Sequence, residues 1–225
     1  MTRAQGIDVS WWQGAMDWQK AKANGASFAY LKASQQVEDV SFKRNRDGAK
    51  AAGILWGAYH YLDWRKSELE QAKLFCDLLR NDPGDLPPMA DFEMDPMPPD
   101  AQGRLWNFLQ IVERELGVLP GIYCGYYSWT ENGTPNQGWA RYPLWEAWWT
   151  KYDWFVRVPK PWKAWTFWQN SEKGDGWAYG AQSKQIDLDF YNGTVEELMS
   201  KYGGEPPVIV RCPTCGQVIQ NGGTP

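Results

Sequence analysis

Asp91 and Glu93 stand two residues apart in the stretch MADFEM, residues 89–94, which two prolines precede. Side chains of an extended chain alternate between faces, so positions i and i+2 point the same way. Two acids on one face repel each other unless solvent, a cation or a common task compensates; a solvated strand edge is the plain alternative. Asp187 and Asp189 repeat the spacing in QIDLDFY, and Asp8 lies near the end of QGIDVS. The chain has a single histidine, His60, so a Ser–His–Asp triad or a histidine-based metal site is hard to build. A carboxylate-held Mg²⁺ is the other use of such acids, but no phosphate-cradling glycine-rich loop accompanies them. Glycoside hydrolysis needs a protonated carboxyl at the leaving oxygen and a second carboxylate that activates water or stabilises positive charge. Crowding raises the pKa of one carboxyl in such a cluster and keeps it protonated near neutral pH. The residue types suit that reaction best.

The elements that must position these acids are eight short apolar runs: 5–10, 28–34, 55–61, 88–93, 121–126, 143–149, 164–169 and 185–191. Helical segments separate the early runs. DWQKAKANG has Asp17 as N-cap and Gly25 as stop, and FKRNRDGAKAAG ends on Gly53. SELEQAKLFCDLLR opens with a Ser67–Glu70 capping box, and PDAQGRLWNFLQIVERELG ends on Gly117. No helix is expected between the fifth and eighth runs, and TVEELMSKYG forms the last one. Strand–helix alternation predicts an α/β fold with a parallel sheet, and eight strands close into an irregular β/α barrel with helices mainly in the first half. Closure makes the eighth run a neighbour of the first, so acids distant in sequence face one mouth. Tyr59, Tyr61, Tyr123, Trp168, Gln169 and Asp189 lie near run ends and are candidate sugar contacts; Trp11 and Trp12 are a candidate cleft wall. His60 is expected to be a satisfied residue of the barrel interior.

Sixteen tryptophans and eleven tyrosines in 225 residues exceed what a core requires. Most are expected to pack, and the remainder can stack on sugar rings or on bases. The balance of 23 basic and 27 acidic residues, net −4, argues against nucleic acid as partner. No run of 18 apolar residues predicts a transmembrane helix.

GIDVSWWQG, FAYLKAS, GAYHY, ADFE, GIYCGYYSW, LWEAW, FWQ and IDLDFY occur in an order that resembles family 25 of the glycoside hydrolases. These are muramidases of bacteriophage endolysins and of some bacteria and fungi. The resemblance spans residues 5 to 202 and implies a TIM-like barrel that hydrolyses the β-1,4 bond between N-acetylmuramic acid and N-acetylglucosamine. It matches Glu93 to the general acid, and Asp8, Asp91 and Asp187 to the other cleft acids. No cofactor is implied, and the partner is the peptidoglycan glycan strand. Retaining and inverting outcomes both stay open. Departures are Ser34–Gln36 where Thr-Glu-Gly is usual, Asp189 where Asn is frequent, and Glu146 and Trp148 in LWEAWW. A non-catalytic wall-glycan binder on the same barrel is the alternative reading.

Residues 1–204 are expected to form the catalytic barrel, and 205–225 a Pro-led linker and short tail. Its CPTCG holds only half of a zinc-ribbon ligand set, in Cys212 and Cys215, so no complete metal site is expected. The start MTRAQGIDVS lacks an apolar leader core. The expected route to the wall is therefore release from a host cytoplasm or non-classical export.

Overall fold

Eight strands close into one barrel: β1 (Gln5–Val9), β2 (Ala26–Ser34), β3 (Leu55–Tyr61), β4 (Met89–Asp91), β5 (Gly121–Gly125), β6 (Leu144–Ala147), β7 (Phe167–Asp175) and β8 (Gln185–Tyr191). The computed structural model describes residues 2–134, 136–204, 210–212, 214 and 218–219. Strands β1 to β7 run parallel in sequence order, whereas β8 is antiparallel to both β7 and β1. The expected parallel sheet is thus corrected at one strand. Residues 176–184 are too few to cross over, and a parallel connection needs a dozen or more. Strand β8 therefore starts at the barrel end where the others finish, which puts Asp187 in register with Asp8.

Alternation sorts the strand side chains into two shells. Phe28, Tyr30, Met89, Tyr123, Trp145, Phe167 and Tyr191 fill the barrel interior. There Tyr30 stacks on Trp145 with ring centres 4.4 Å apart. Their outward neighbours, among them Leu31, Trp56, Ala90, Ile122 and Trp168, pack against the helices in a second apolar layer. Gly6 leaves room for this interior, since a Cβ there would stand 2.4 Å from the Phe28 ring.

Helices α1 (Trp18–Ala23), α2 (Phe42–Ala51), α3 (Glu68–Leu79) and α4 (Ala101–Leu116) cover the first half, as the spacing predicts. The Asp17 carboxylate caps α1 through the Lys20 N–H at 3.1 Å, and Gly117 ends α4 at φ 68°. Only half of the box expected on α3 forms: the Ser67 hydroxyl accepts from the Leu69 N–H at 3.2 Å. In the second half a helix the sequence does not announce, α5 (Tyr126–Asn132), follows β5 directly. Its run YYSWTEN has Glu131 as its one good helix former and no side-chain N-cap. Tertiary packing holds it, because buried Trp129 donates its indole N–H to the Lys160 carbonyl at 2.8 Å. Helix α6 (Val195–Tyr202) carries the expected Thr194–Glu197 box. Beyond it β9 (Val210–Arg211) pairs with β10 (Val218–Ile219), which lies against α4. Cys212 is near this pair, and Cys215 lies outside the described residues.

Glu146 is an anomaly of the outer shell. It faces away from the interior beside Cys124, is wholly buried, and neither carboxylate oxygen has a hydrogen-bond partner. Burial pushes it up to about 9, opposed in part by the nearby Tyr126 backbone N–H. The folded protein therefore keeps a proton that the unfolded chain releases above its ordinary range, and stability falls as pH rises from about 4.5 towards 9. Glu146→Gln is expected to match wild type near pH 4 and exceed it at pH 8 by on the order of 2 kcal/mol. Urea denaturation at both pH values checks this; equal gains at both would mean that ionisation is not the cause.

Candidate active site

The acids meet where β1 to β7 end and β8 begins. Asp8 is the last residue but one of β1, Asp91 is the last residue of β4, and Asp187 is the third of β8. Glu93 lies just past β4 rather than within it. The alternation nonetheless continues one step, because Phe92 donates its N–H to the Tyr123 carbonyl at 2.9 Å and buries its ring outward. Asp91 and Glu93 thus both face the mouth, as a longer strand would have had them do.

Together they line a cavity of about 420 Å³ with Tyr59, Tyr61, Tyr123 and Gln169. Gln169 fixes its centre. Its amide N–H₂ donates to Asp8 Oδ2 at 2.8 Å, while its oxygen accepts from the Tyr123 hydroxyl at 3.0 Å and the Trp149 indole at 3.2 Å. These three bonds leave the amide one orientation.

Burial raises the Asp8 carboxyl well above its ordinary range, and the neighbouring carboxyls of Asp187 and Asp189 add to this. Asp91 is raised by burial and then by Glu93, with Lys32 opposing, and one of its oxygens has no hydrogen-bond partner. Glu93 is exposed at the rim, so the surrounding protein raises it less than Asp91 beneath; Lys32 and the Tyr123 hydroxyl pull it down. Asp187 is pushed up to about 6 by burial and by Glu172. Like charges crowd here with little compensation, so the group shares protons instead of ionising fully.

Two of the sequence-predicted contacts fall elsewhere. Trp168 points outward from β7, is 2% exposed, and donates its indole N–H to the Trp148 carbonyl at 2.7 Å. It cannot share a face with adjacent Gln169. Asp189 lies beneath the cavity floor, fully buried, and accepts from the Trp145 indole at 2.8 Å. Trp12 lines the cavity, with Trp11 stacked on it at 4.0 Å.

His60 is packed, but in the outer shell rather than the barrel interior. It stacks on Phe108 of α4 at 5.2 Å and lies 2.8 Å from Ser34 Oγ and 3.0 Å from Gln71 Oε1. Gln71 Oε1 also accepts the Asp63 N–H, so His60 donates from Nε2 and accepts from Ser34. Burial lowers it to about 4, which keeps it neutral.

Sequence reasoning missed Lys32, Trp149 and Glu172, which also line the cavity. Lys32 was legible: it follows the inward Tyr30 by two residues and lies two residues before the end of β2. Its ammonium sits 4.7 Å above the Tyr61 ring and donates to Gln35 Oε1 at 3.1 Å. Glu172 was not legible, because it depends on bulges that shift the β7 register.

A second cavity of about 390 Å³ shares Glu93, Tyr123 and Trp149 with the first and continues past Tyr126, Tyr127 and Trp148. Glu93 is its only acid. A larger one, about 730 Å³, lies at the opposite end of the barrel against Pro87, Pro143 and Thr166, with Asp85 alone as acid. Volume is therefore no guide to the chemistry here. Among the described residues no group of three or more His, Cys, Asp or Glu side chains is placed to hold a metal ion.

A family model described as glycosyl hydrolases family 25 matches residues 7–176. The uncharacterized protein YegX of Escherichia coli K12 is 34% identical over 210 residues, covering 88% of this chain and 73% of that protein. Lysozyme M1 of Streptomyces globisporus is 32% identical over 211 residues, covering 87% and 70%. Among solved structures, a bacterial lysozyme from Streptomyces coelicolor superposes with a TM-score of 0.79 at 29% identity, covering 90% of this chain and 98% of that one.

Lys32 is the cation that pulls Asp91 and Glu93 down. Lys32→Met, which keeps most of the stem, is expected to raise both titrations by about half a unit or more. Carboxyl NMR of labelled protein across the pH range reads this directly; unchanged midpoints would remove Lys32 from the electrostatics of the site.

Proposed function

The chain belongs to glycosyl hydrolase family 25, and from that premise we propose that it is a peptidoglycan-degrading muramidase with Glu93 as its general acid. The substrate bond is the β-1,4 link between N-acetylmuramic acid and N-acetylglucosamine. One observation carries the reading: Glu93 stands at the junction of an acid-lined cavity and an acid-poor aromatic groove. A glycosidic acid must lie between the sugar that develops positive charge and the sugar that leaves. Asp8, Asp91 and Asp187 supply the negative field on one side. Tyr126, Tyr127 and Trp148 offer ring faces to a leaving sugar on the other.

The chemistry follows from the shared protons. At rest the deeper Asp91 holds a proton more firmly than Glu93 at the rim, because burial and the Glu93 charge both act on it. A glycan across the rim excludes water from Glu93, which raises its proton affinity. The pair's proton thereby passes from Asp91 to Glu93, leaving Asp91 as the carboxylate, and Glu93 gives it to the glycosidic oxygen as the C–O bond breaks. The leaving sugar departs with that proton as its hydroxyl. Positive charge at the anomeric carbon is stabilised by the carboxylates of Asp8 and Asp187 across the cavity. Water, or the sugar's own N-acetyl oxygen followed by water, completes the hydrolysis.

Peptidoglycan lies outside the cytoplasm, so in this reading the protein acts at the cell wall. Residues 1–204 form the catalytic unit in this reading. Truncation after Gly204 is expected to keep turnover of soluble wall fragments within about threefold; abolished turnover would place the tail in the catalytic fold.

Glu93→Gln is nearly isosteric but cannot donate the proton, so turnover should fall by at least ~10²-fold with melting unchanged. Asp91→Asn removes one charge from the pair, so the last proton leaves at lower pH and the alkaline limb of kcat/KM shifts down. The assay is mass spectrometry of reducing ends released from purified peptidoglycan. Muramic acid ends support the reading and glucosamine ends contradict it. Binding with no new ends would leave a glycan-binding protein.

A further inference from the structure

Asp189 is an acid that the mechanism above leaves unused, and its surroundings are the driest in the site. Its side chain is 0% exposed, against 5% for Asp8. It sits level with Gly6 of β1 and Gln169 of β7, one inward-facing step below Asp187. Oδ1 accepts the Trp145 indole N–H at 2.8 Å, whereas Oδ2 is buried and receives no hydrogen bond from any donor. The Asp8 carboxyl lies within hydrogen-bonding reach of Asp189.

The groups that face it offer no countercharge. Asp8 on β1 and Asp187 on β8 are acids, Tyr30 on β2 is a phenol, and Trp145 on β6 and Gln169 on β7 are neutral. Two carboxylates in contact cannot both ionise in such a place, so one of them keeps a proton. Asp8 has the better claim to the charge, because it borders the open cavity and receives the Gln169 N–H₂ at 2.8 Å. An anion on Asp189 would be left in the aromatic interior with one donor, which is the costlier arrangement. Burial raises both Asp189 and Asp8 well above their ordinary range, with the contact to Asp8 pulling Asp189 back in part, so it is the greater depth of Asp189 that assigns the proton.

We propose that Asp189 is a positioning residue that remains a neutral carboxylic acid at working pH and donates its Oδ2 hydrogen bond upward to Asp8, so that Asp8 carries the negative charge facing the substrate. The floor of the site is then a fixed chain. Trp145 donates to Asp189, Asp189 donates to Asp8, and Gln169 donates to Asp8 from the side. The charge at the cavity floor is thereby held in one orientation. This deepens the muramidase reading and rests on it.

The test compares pH profiles of kcat/KM on a soluble glycan fragment for wild type, Asp189→Asn and Asp189→Leu. Asparagine keeps a donor in the same place and cannot ionise, so its rate should stay within about threefold and its acid limb within about 0.3 units of wild type. Leucine removes the donor, so the rate should fall at least ~10-fold and the acid limb should move up as Asp8 loses its support. An acid limb that drops by about a unit in Asp189→Asn would show that the proton rests on Asp8 and that Asp189 is the anion, overturning the proposal. A greater than ~10-fold loss in the asparagine variant, or a leucine variant equal to wild type, would overturn it as well. Difference infrared spectroscopy of wild type against Asp189→Asn and Asp8→Asn at neutral pH needs neither turnover nor the leucine variant. Loss of a protonated-carboxyl band in Asp189→Asn with its retention in Asp8→Asn supports the proposal, and any other pattern overturns it. Should wild type release no muramic acid ends, the function fails on its own, and the infrared result still decides where the proton is.

Discussion

Five carboxylates and one ammonium line the mouth of this barrel: Asp8, Asp91, Glu93, Glu172 and Asp187 against Lys32, among the described residues. Full ionisation would leave a large uncompensated charge in a partly dry site. Protons must therefore be shared, and the structure is organised around where they rest. Depth sets the order. Asp91 lies below Glu93, and Asp189 lies below Asp8 and Asp187, so in each group the deeper acid is the natural proton holder. The rim acids are left free to respond to whatever covers them.

That gradient needs a rigid floor, and the aromatic interior supplies it. Tyr30, Tyr59 and Tyr123 all contact Trp145, whose indole N–H fixes Asp189. Gln169 ties the floor to the wall by holding Asp8, Tyr123 and Trp149 at once. Much of the unusual tryptophan content is spent in this way or in the outer shell, as with Trp129 and Trp168. Only part of it, such as Trp12 and Trp149, stands open at the cleft, 68% and 59% exposed. The proposed division of the cleft at Glu93 follows from the same economy: charge on the side where charge develops, ring faces where a sugar departs.

The acid cluster was legible because strand alternation and strand ends are written in residue types. Asp91 and Glu93 share a face by parity, and Asp8 and Asp187 come near strand ends at the sites where the barrel closes. Parity also excludes Trp168 once Gln169 is accepted, and it would have admitted Lys32 beside Tyr30. The apolar periodicity of α2, α3 and α4 was equally plain. What failed was whatever tertiary contacts decide: α5 exists because Trp129 is buried against the loop carrying Lys160, and Glu172 reaches the cleft through bulges.

By itself, then, the sequence determined the eight-stranded α/β barrel and the set of acids that one mouth would gather. The tertiary structure alone decided the direction of β8 and the depth of each carboxyl. Alternation has the same period whichever way a strand runs, so it marks Asp187 and Asp189 as inward without saying which is nearer the mouth. Antiparallel pairing answers that: Asp187 comes level with Asp8 at the water, and Asp189 with Gly6 in the dry interior. Burial then does the rest, because a carboxyl's charge depends on the medium around it and no residue type carries its medium along the chain.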